Sequence, residues 1–378
     1  MRWHPLVIAA LGLGLGCTRS DPSDFTQPTA SRRAPAVAPK GSKVKSYLQQ
    51  PPVSAVTLTP IGAVANDYMV MLAVAPDSKA WACAWASGVR FFAGDHELRA
   101  ISQQHNAAGA IGFSPDGATL RLGMHDVDVA TGALKPQPDV PNLAAWATAG
   151  GLPSPPTLAM AAARKSDDGS LIVVGATGAT RDRRTGLQQP ATGDPDWLIA
   201  LDGTTRKPTQ ALWHGRGAVI AIAISDHHVA AAGHGPVRVF ARDALTKAIE
   251  LGGDLPTASS VAWAPDGAML SAIGERTVAV WRTGQWDAPA ASWQVGGDYQ
   301  GASAFHPSHP LLAVGSRDGH VRIYGVADAQ LAQHAVLADL DVGGPVSGLA
   351  FSPDGATLLV AAEAPAKQIK RFDIAARL

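Results

Sequence analysis

Phe113-Ser114-Pro115-Asp116-Gly117-Ala118-Thr119-Leu120 returns as Trp263-Ala264-Pro265-Asp266-Gly267-Ala268-Met269-Leu270, and again as Phe351-Ser352-Pro353-Asp354-Gly355-Ala356-Thr357-Leu358. Looser copies stand at Val74-Ala75-Pro76-Asp77-Ser78, Lys165-Ser166-Asp167-Asp168-Gly169, Ile224-Ser225-Asp226-His227-His228 and Phe305-His306-Pro307-Ser308-His309. Seven copies mean one small unit used seven times, so the symmetry is read before any single residue. The phrase itself is a turn. Proline presets φ for the second position of a tight turn, aspartate bonds nearby backbone N–H groups, and glycine tolerates positive φ. Its aspartates are therefore turn formers.

Outward from the turn the chain reads as short strands. Residues 218–224 are an apolar, β-branched run, followed by 229–232, a turn at His234-Gly235-Pro236, then 237–241 and 246–251. Four strands in so few residues make one small antiparallel sheet, with the turn phrase between its first two strands. The same template predicts seven sheets, beginning near Tyr68, Ala107, Pro156, Gly217, Thr257, Gly301 and Pro345. Two of the intervals are long, which places insertions at 135–155 and 176–196. The last unit, with strands at 347–351, 357–361 and 368–373, lacks a fourth, while an orphan strand sits at 54–59. A ring whose last sheet borrows its outer strand from the N-terminus accounts for both, and it removes an open seam. The expected fold is all-β: a seven-bladed β-propeller closed by an N-terminal strand added to the last blade.

These units resemble the WD40 and WD40-like propellers. Gly315-Ser316-Arg317-Asp318-Gly319-His320-Val321-Arg322-Ile323-Tyr324 is similar to the passage from second to third strand of such a blade. Arg276-Thr277-Val278-Ala279-Val280-Trp281 and Pro236-Val237-Arg238-Val239-Phe240 resemble third-strand endings, which gives Trp281, Phe240, Tyr324 and Phe372 the repeat's aromatic place. The resemblance implies that Asp318 joins a structural hydrogen-bond network. The Gly-His pair is largely missing, with only His105 and His214 near such positions, and no third strand closes on Trp-Asp.

The first fifty residues differ in kind. Met1-Arg2-Trp3-His4-Pro5, an apolar run from Leu6 to Leu15, and Gly16-Cys17 carry the features of an export signal, and the run is short for a membrane span. Cysteine directly after a small residue resembles a bacterial lipoprotein signal, although Gly14 stands where leucine is usual. The expectation is a signal peptide over 1–16, lipidation of Cys17, and a flexible tether over 17–52 rich in Ser, Pro, Ala and basic residues. The propeller then occupies 53–378. At a coil's ~5–6 Å times the square root of length, the tether reaches roughly 30–35 Å. Thr18 after the cysteine is compatible with outer-membrane sorting, so the protein is expected to be exported and lipid-anchored, facing the periplasm or the surface. Only one other cysteine exists; Cys83 alternates with Trp81 and Trp85 on one side of a strand and reads as a buried free thiol.

Thirty-one basic and 31 acidic residues balance, so no field of one sign is available to draw nucleic acid. Hydrophobic residues make up 46% of the chain, enough for a large core, and 39 Gly with 28 Pro supply the turns that small sheets need. No Gly-x-Ser-x-Gly elbow or phosphate loop occurs. His227 and His228 are adjacent and point to opposite sides of a strand, His306 and His309 lie in a proline-rich turn read as exposed, and Asp167, Asp168, Asp194 and Asp196 read as turn and loop acids. No cofactor and no metal ligand set is expected.

The functional expectation is a non-catalytic, monomeric interaction platform of the cell envelope, with other envelope proteins as partners and the membrane engaged through the lipid. The second reading, from another class, is a metal-dependent propeller hydrolase or lactonase with its site in the central channel. The residues expected to meet a partner are those of the interruptions: Trp146 in one, and Arg181, Arg183, Arg184 and Trp197 in the other, because arginine and tryptophan dominate binding hot spots.

Overall fold

The computed structural model describes residues 47–66, 70–85, 88–102, 111–122, 125–135, 149, 158–181, 188–190, 196–215, 219–296 and 301–377. Strand β1 (Ala55–Ala65) precedes the first blade, which is β2 (Met71–Val74), β3 (Ala80–Trp85), β4 (Gly88–Ala93) and β5 (His96–Ser102). The second blade shows β6 (Ile111–Phe113), β7 (Thr119–Leu122) and β8 (His125–Asp128). The third has β9 (Leu158–Lys165), β10 (Leu171–Arg181), β11 (Gln188–Pro190), β12 (Asp196–Asp202) and β13 (Pro208–Gly215). The fourth is β14 (Val219–Ile224), β15 (His228–Gly233), β16 (Gly235–Ala241) and β17 (Ala244–Glu250); the fifth is β18 (Ser260–Trp263), β19 (Met269–Gly274), β20 (Thr277–Arg282) and β21 (Ala291–Gln294). In the sixth, β22 (Ala302–Phe305), β23 (Leu311–Gly315) and β24 (His320–Gly325) are followed by the short helix α1 (Asp328–Gln333) and β25 (Val336–Asp341). The seventh holds β26 (Val346–Phe351), β27 (Thr357–Ala362) and β28 (Gln368–Arg377), and its outer strand is β1.

All seven expected sheets are present, and the orphan strand closes the ring. β1 pairs antiparallel with β28 from Ala55 opposite Arg377 to Ala65 opposite Gln368, with a bulge at Ile61. It is longer than its apolar stretch suggested. Pro60 is tolerated because β1 is an edge strand, and bulge and proline together blunt that edge against pairing with other chains.

The register explains the aromatic place. Trp281 lies opposite Leu270, Phe240 opposite Val229, Tyr324 opposite Leu312, Phe372 opposite Leu358 and Phe92 opposite Trp81. All five are buried. The equivalent positions in the second and third blades are Val127, opposite Leu120, and Leu201, opposite Ile172. Burial of such a side chain contributes roughly 1.5–3 kcal/mol, and Trp281 adds an indole N–H bond to the Gly252 carbonyl at 2.9 Å.

The core lies between blades. Alternate residues of each middle strand face opposite neighbours, so Leu270 and Trp281 pack on blade four, while Met269 and Val280 pack on Phe305 and Leu312 of blade six. Similar apolar layers join blades one to two, three to four, six to seven, and seven to one. Cys83 sits in the last of these beside Trp81 and Leu359; it is a buried free thiol, and burial pushes it up to about 11. At the junction of blades two and three the buried Ile172, Val174, Ile199 and Leu201 are joined by polar contacts: the Arg121 guanidinium donates to the Ser166 carbonyl at 2.8 Å, and Asp126 stands 3.6 Å from Lys165 and 3.7 Å from Arg206.

Candidate interaction site

The turn phrases define one face of the ring. In each well-kept copy the fourth residue's N–H bonds the first residue's carbonyl: Gly117 to Ser114, Gly169 to Ser166, Gly267 to Ala264 and Gly355 to Ser352. Those four glycines have φ between 68° and 77°, and Ser78 takes that conformation in the first blade at 59°. The serine hydroxyl bonds the aspartate carboxylate, as Ser352 does with Asp354 at 2.5 Å, and the carboxylate accepts the N–H two residues on. Hydrogen bonds from Ser114 and the Ala118 N–H hold Asp116 below the usual carboxylate range. Burial works against ionisation of Asp168, but bonds from Ser166, Ser170 and Arg242 outweigh it and lower its pKa. These aspartates are turn formers, as the repeat implied. Asp318 also has the network the resemblance implied: it accepts from Ser316, from the His320 N–H at 3.0 Å, and from Arg322 at 2.9 Å.

His306 corrects one expectation. It is 2% exposed, not a solvated turn residue. It occupies the phrase's serine place, and its Nδ1 does the serine's work by accepting the Ser308 and His309 N–H groups at 3.2 and 3.0 Å. With Nδ1 an acceptor, Nε2 carries the proton and donates to the Gly355 carbonyl in the next blade at 3.0 Å. Burial pushes its pKa down to about 4, with His309 adding to the shift. His228, by contrast, stacks on Trp263 at 5.4 Å between centroids, and Trp286 meets both rings edge-on. Among the described residues no group of three His, Cys, Asp or Glu is placed to hold a metal ion.

The first strands of neighbouring blades stand side by side around the axis, so the channel is lined by β14, β18 and β22 among others. On the turn face this channel opens into a cavity of about 520 Å³. Arg164 of blade three, Arg242 and His227 of blade four, Trp263 of blade five and Ser303 of blade six all reach it. The chain enters the ring at the same rim. Tyr47 is buried, its N–H bonds the Asp266 carboxylate at 2.7 Å, and its ring meets Phe305 edge-on at 6.0 Å. Sequence reading passed over this rim because its residues lie in regular repeat copies, scattered from 164 to 305; only the closed ring brings them together.

The residues expected to meet a partner are placed unevenly. Arg181 ends β10, opposite Gln188 of β11, so the base of the second interruption is a strand pair where an irregular insertion was expected. That end of β10 is on the face opposite the turn phrases. Trp197 is fully buried in β12 opposite Ala176, because the third blade's third strand begins at Asp196 and draws the indole into the core. It is a packing residue and leaves the recognition set. Arg183, Arg184, Trp146 and Cys17 lie outside the described residues.

A family model described as "WD domain, G-beta repeat" matches residues 301–325, the start of blade six through β24. Among curated proteins, the chain is 46% identical over 57 residues to "WD repeat-containing protein 1" of Rattus norvegicus and equally to that of Bos taurus. Each match covers 15% of this chain and 9% of the relative. They add a sequence likeness for part of the ring to what the seven sheets already show.

Proposed function

We propose that this WD40-like seven-bladed β-propeller is a non-catalytic recognition platform of a cell envelope, exported and held to a membrane by lipid on Cys17 through the tether at 17–52. The observation that carries the recognition reading is the division of labour in the ring. Turn aspartates and serines are spent on backbone bonds, and the aromatic places are spent on inter-blade packing. What remains open is a rigid rim with Arg164, Arg242 and Trp263 at one mouth of the channel, and the β10–β11 extension on the other face. Arginine and tryptophan held on a rigid frame give recognition at small entropic cost.

The test is capture of cross-linked partners from solubilised envelope by the wild-type chain and by a chain lacking 182–187. This deletion spares Trp197 and therefore the core. Loss of the captured species supports the extension as the contact; an unchanged set moves the contact elsewhere, and no specific capture by either chain defeats the platform reading. The anchor is tested separately by palmitate labelling, which must disappear in Cys17→Ala.

A further inference from the structure

Arg164 projects into the channel from β9 and lacks a carboxylate partner among the described residues. Its one polar contact is a long bond, 3.4 Å, from Nη1 to the Ile111 carbonyl. Among the described residues, Arg121 beside it is held only by the carbonyls of Ser166 and Asp167. Lys165 and Arg206 share the single carboxylate of Asp126, at 3.6 and 3.7 Å, and a buried guanidinium nitrogen of Arg206 has no partner. Four cations thus gather near Asp126 and Asp167 along this seam. A half-buried guanidinium with most donors unused is placed to take an acceptor from a ligand.

We propose that the turn-face mouth of the channel binds a carboxylate, with Arg164 as its anchor. The cavity volume of about 520 Å³ lies in the range of small-ligand sites. A planar guanidinium with free donors takes a carboxylate through two parallel bonds. Trp263 across the mouth offers apolar surface to the ligand's carbon chain. Exposed acids at the rim, Asp167, Asp226 and Asp266, repel a polyanion, so a single carboxylate fits where a phosphate chain does not. The carboxylate is supplied by a Glu or Asp side chain of a protein or by a free organic acid. This proposal deepens the recognition reading and rests on it only for the mouth being open to a partner. Its test reads Arg164, not the 182–187 segment, so either can fail without the other.

The experiment is titration of the full chain, followed by NMR shifts of the tryptophan indoles, with four probes: butyrate, N-acetylglutamate amide, N-acetylglutamine amide and inorganic phosphate. Saturable shifts are expected from butyrate, the glutamate amide or both, with affinity at least tenfold weaker in Arg164→Gln and an intermediate value in Arg164→Lys. Binding of the glutamate amide as tightly as butyrate identifies a protein side chain as the source, and binding of butyrate alone identifies a free acid. Ala304→Gln fills the cavity from the opposite wall without touching Arg164, and it is expected to weaken binding while leaving the melting temperature unchanged. Equal binding of the glutamine amide, tighter binding of phosphate than of butyrate, no saturable binding, or affinity within twofold of wild type in both Arg164→Gln and Ala304→Gln would overturn the proposal.

Discussion

Lowering the pH from 7 to about 4.5 is expected to loosen the junction of the sixth and seventh blades through His306. The neutral ring accepts two backbone N–H groups at Nδ1 and donates Nε2–H across the junction, so a proton on Nδ1 breaks the turn from inside. In the unfolded chain this group has its ordinary value of 6.5; in the ring it is pushed down to about 4. Across that window the unfolded state binds a proton that the native state refuses. Stability therefore rises with pH there and is lost as pH falls from 6.5 toward 4. Between pH 7 and 4.5 the linkage amounts to about 2 kcal/mol. The turn aspartates act lower. Asp116, Asp318 and Asp354 have depressed values, so their contribution is complete above the ordinary 3.8 and is lost only as pH falls below it. His125 and His228, both lowered by burial, act in the same direction as His306, which is why a variant is needed. His306→Ser restores the residue found in the copies at 114, 166 and 352 and keeps an acceptor for the turn. Urea unfolding of both chains at the two pH values isolates the effect. The wild type is expected to lose about 2 kcal/mol more than the variant on acidification. Equal losses, or an NMR titration of His306 near 6.5, would refute the reasoning.

Three further outcomes follow from the packing. Trp281→Ala is expected to destabilise the ring by about 3–5 kcal/mol, and Trp281→Phe by roughly 1–2, since it loses the Gly252 bond and part of the volume; thermal melting measures both, and a cost under about 1 kcal/mol for alanine contradicts the packing. Trp197→Ala is expected to cost a similar amount of stability while the folded fraction captures partners as before, because the indole is fully buried; selective loss of capture at unchanged stability would return it to the surface. The Cys83 thiol is expected to be silent to a thiol reagent in the native ring and to react on unfolding, being buried with a raised pKa; fast native labelling would contradict this.

What the sequence made legible was whatever repeats locally. The turn phrase carries its own mechanism in Ser, Pro, Asp and Gly, and the third-strand aromatics recur at a fixed place, so blade number, strand order and ring closure could be read. Side chains whose roles come from neighbours in the ring could not. His306 has the look of a solvated turn residue, and only the carbonyl of Gly355, 49 residues away, shows why a histidine stands there. Trp197 looked like part of an insertion because it follows the long interval between repeat copies, and burial depends on where its strand begins. The channel mouth was invisible for the same reason, since Arg164 and Trp263 are brought together by the ring and by nothing local.

The central structural claim is that the first strand of the chain completes the last blade and closes the ring. Thr57 and Ala375 lie directly opposite in the β1–β28 pair, and both are exposed. Opposed residues in an antiparallel pair have Cα atoms about 4.5–5.5 Å apart, within the span of a disulfide. In a chain carrying Thr57→Cys and Ala375→Cys, with Cys17→Ala, mild oxidation is expected to give one intramolecular disulfide. Mass spectrometry would find it linking the peptides that contain 57 and 375, and the cross-link would raise the melting temperature. Free thiols left at both 57 and 375 after oxidation, or cross-links only between molecules, would contradict closure by β1.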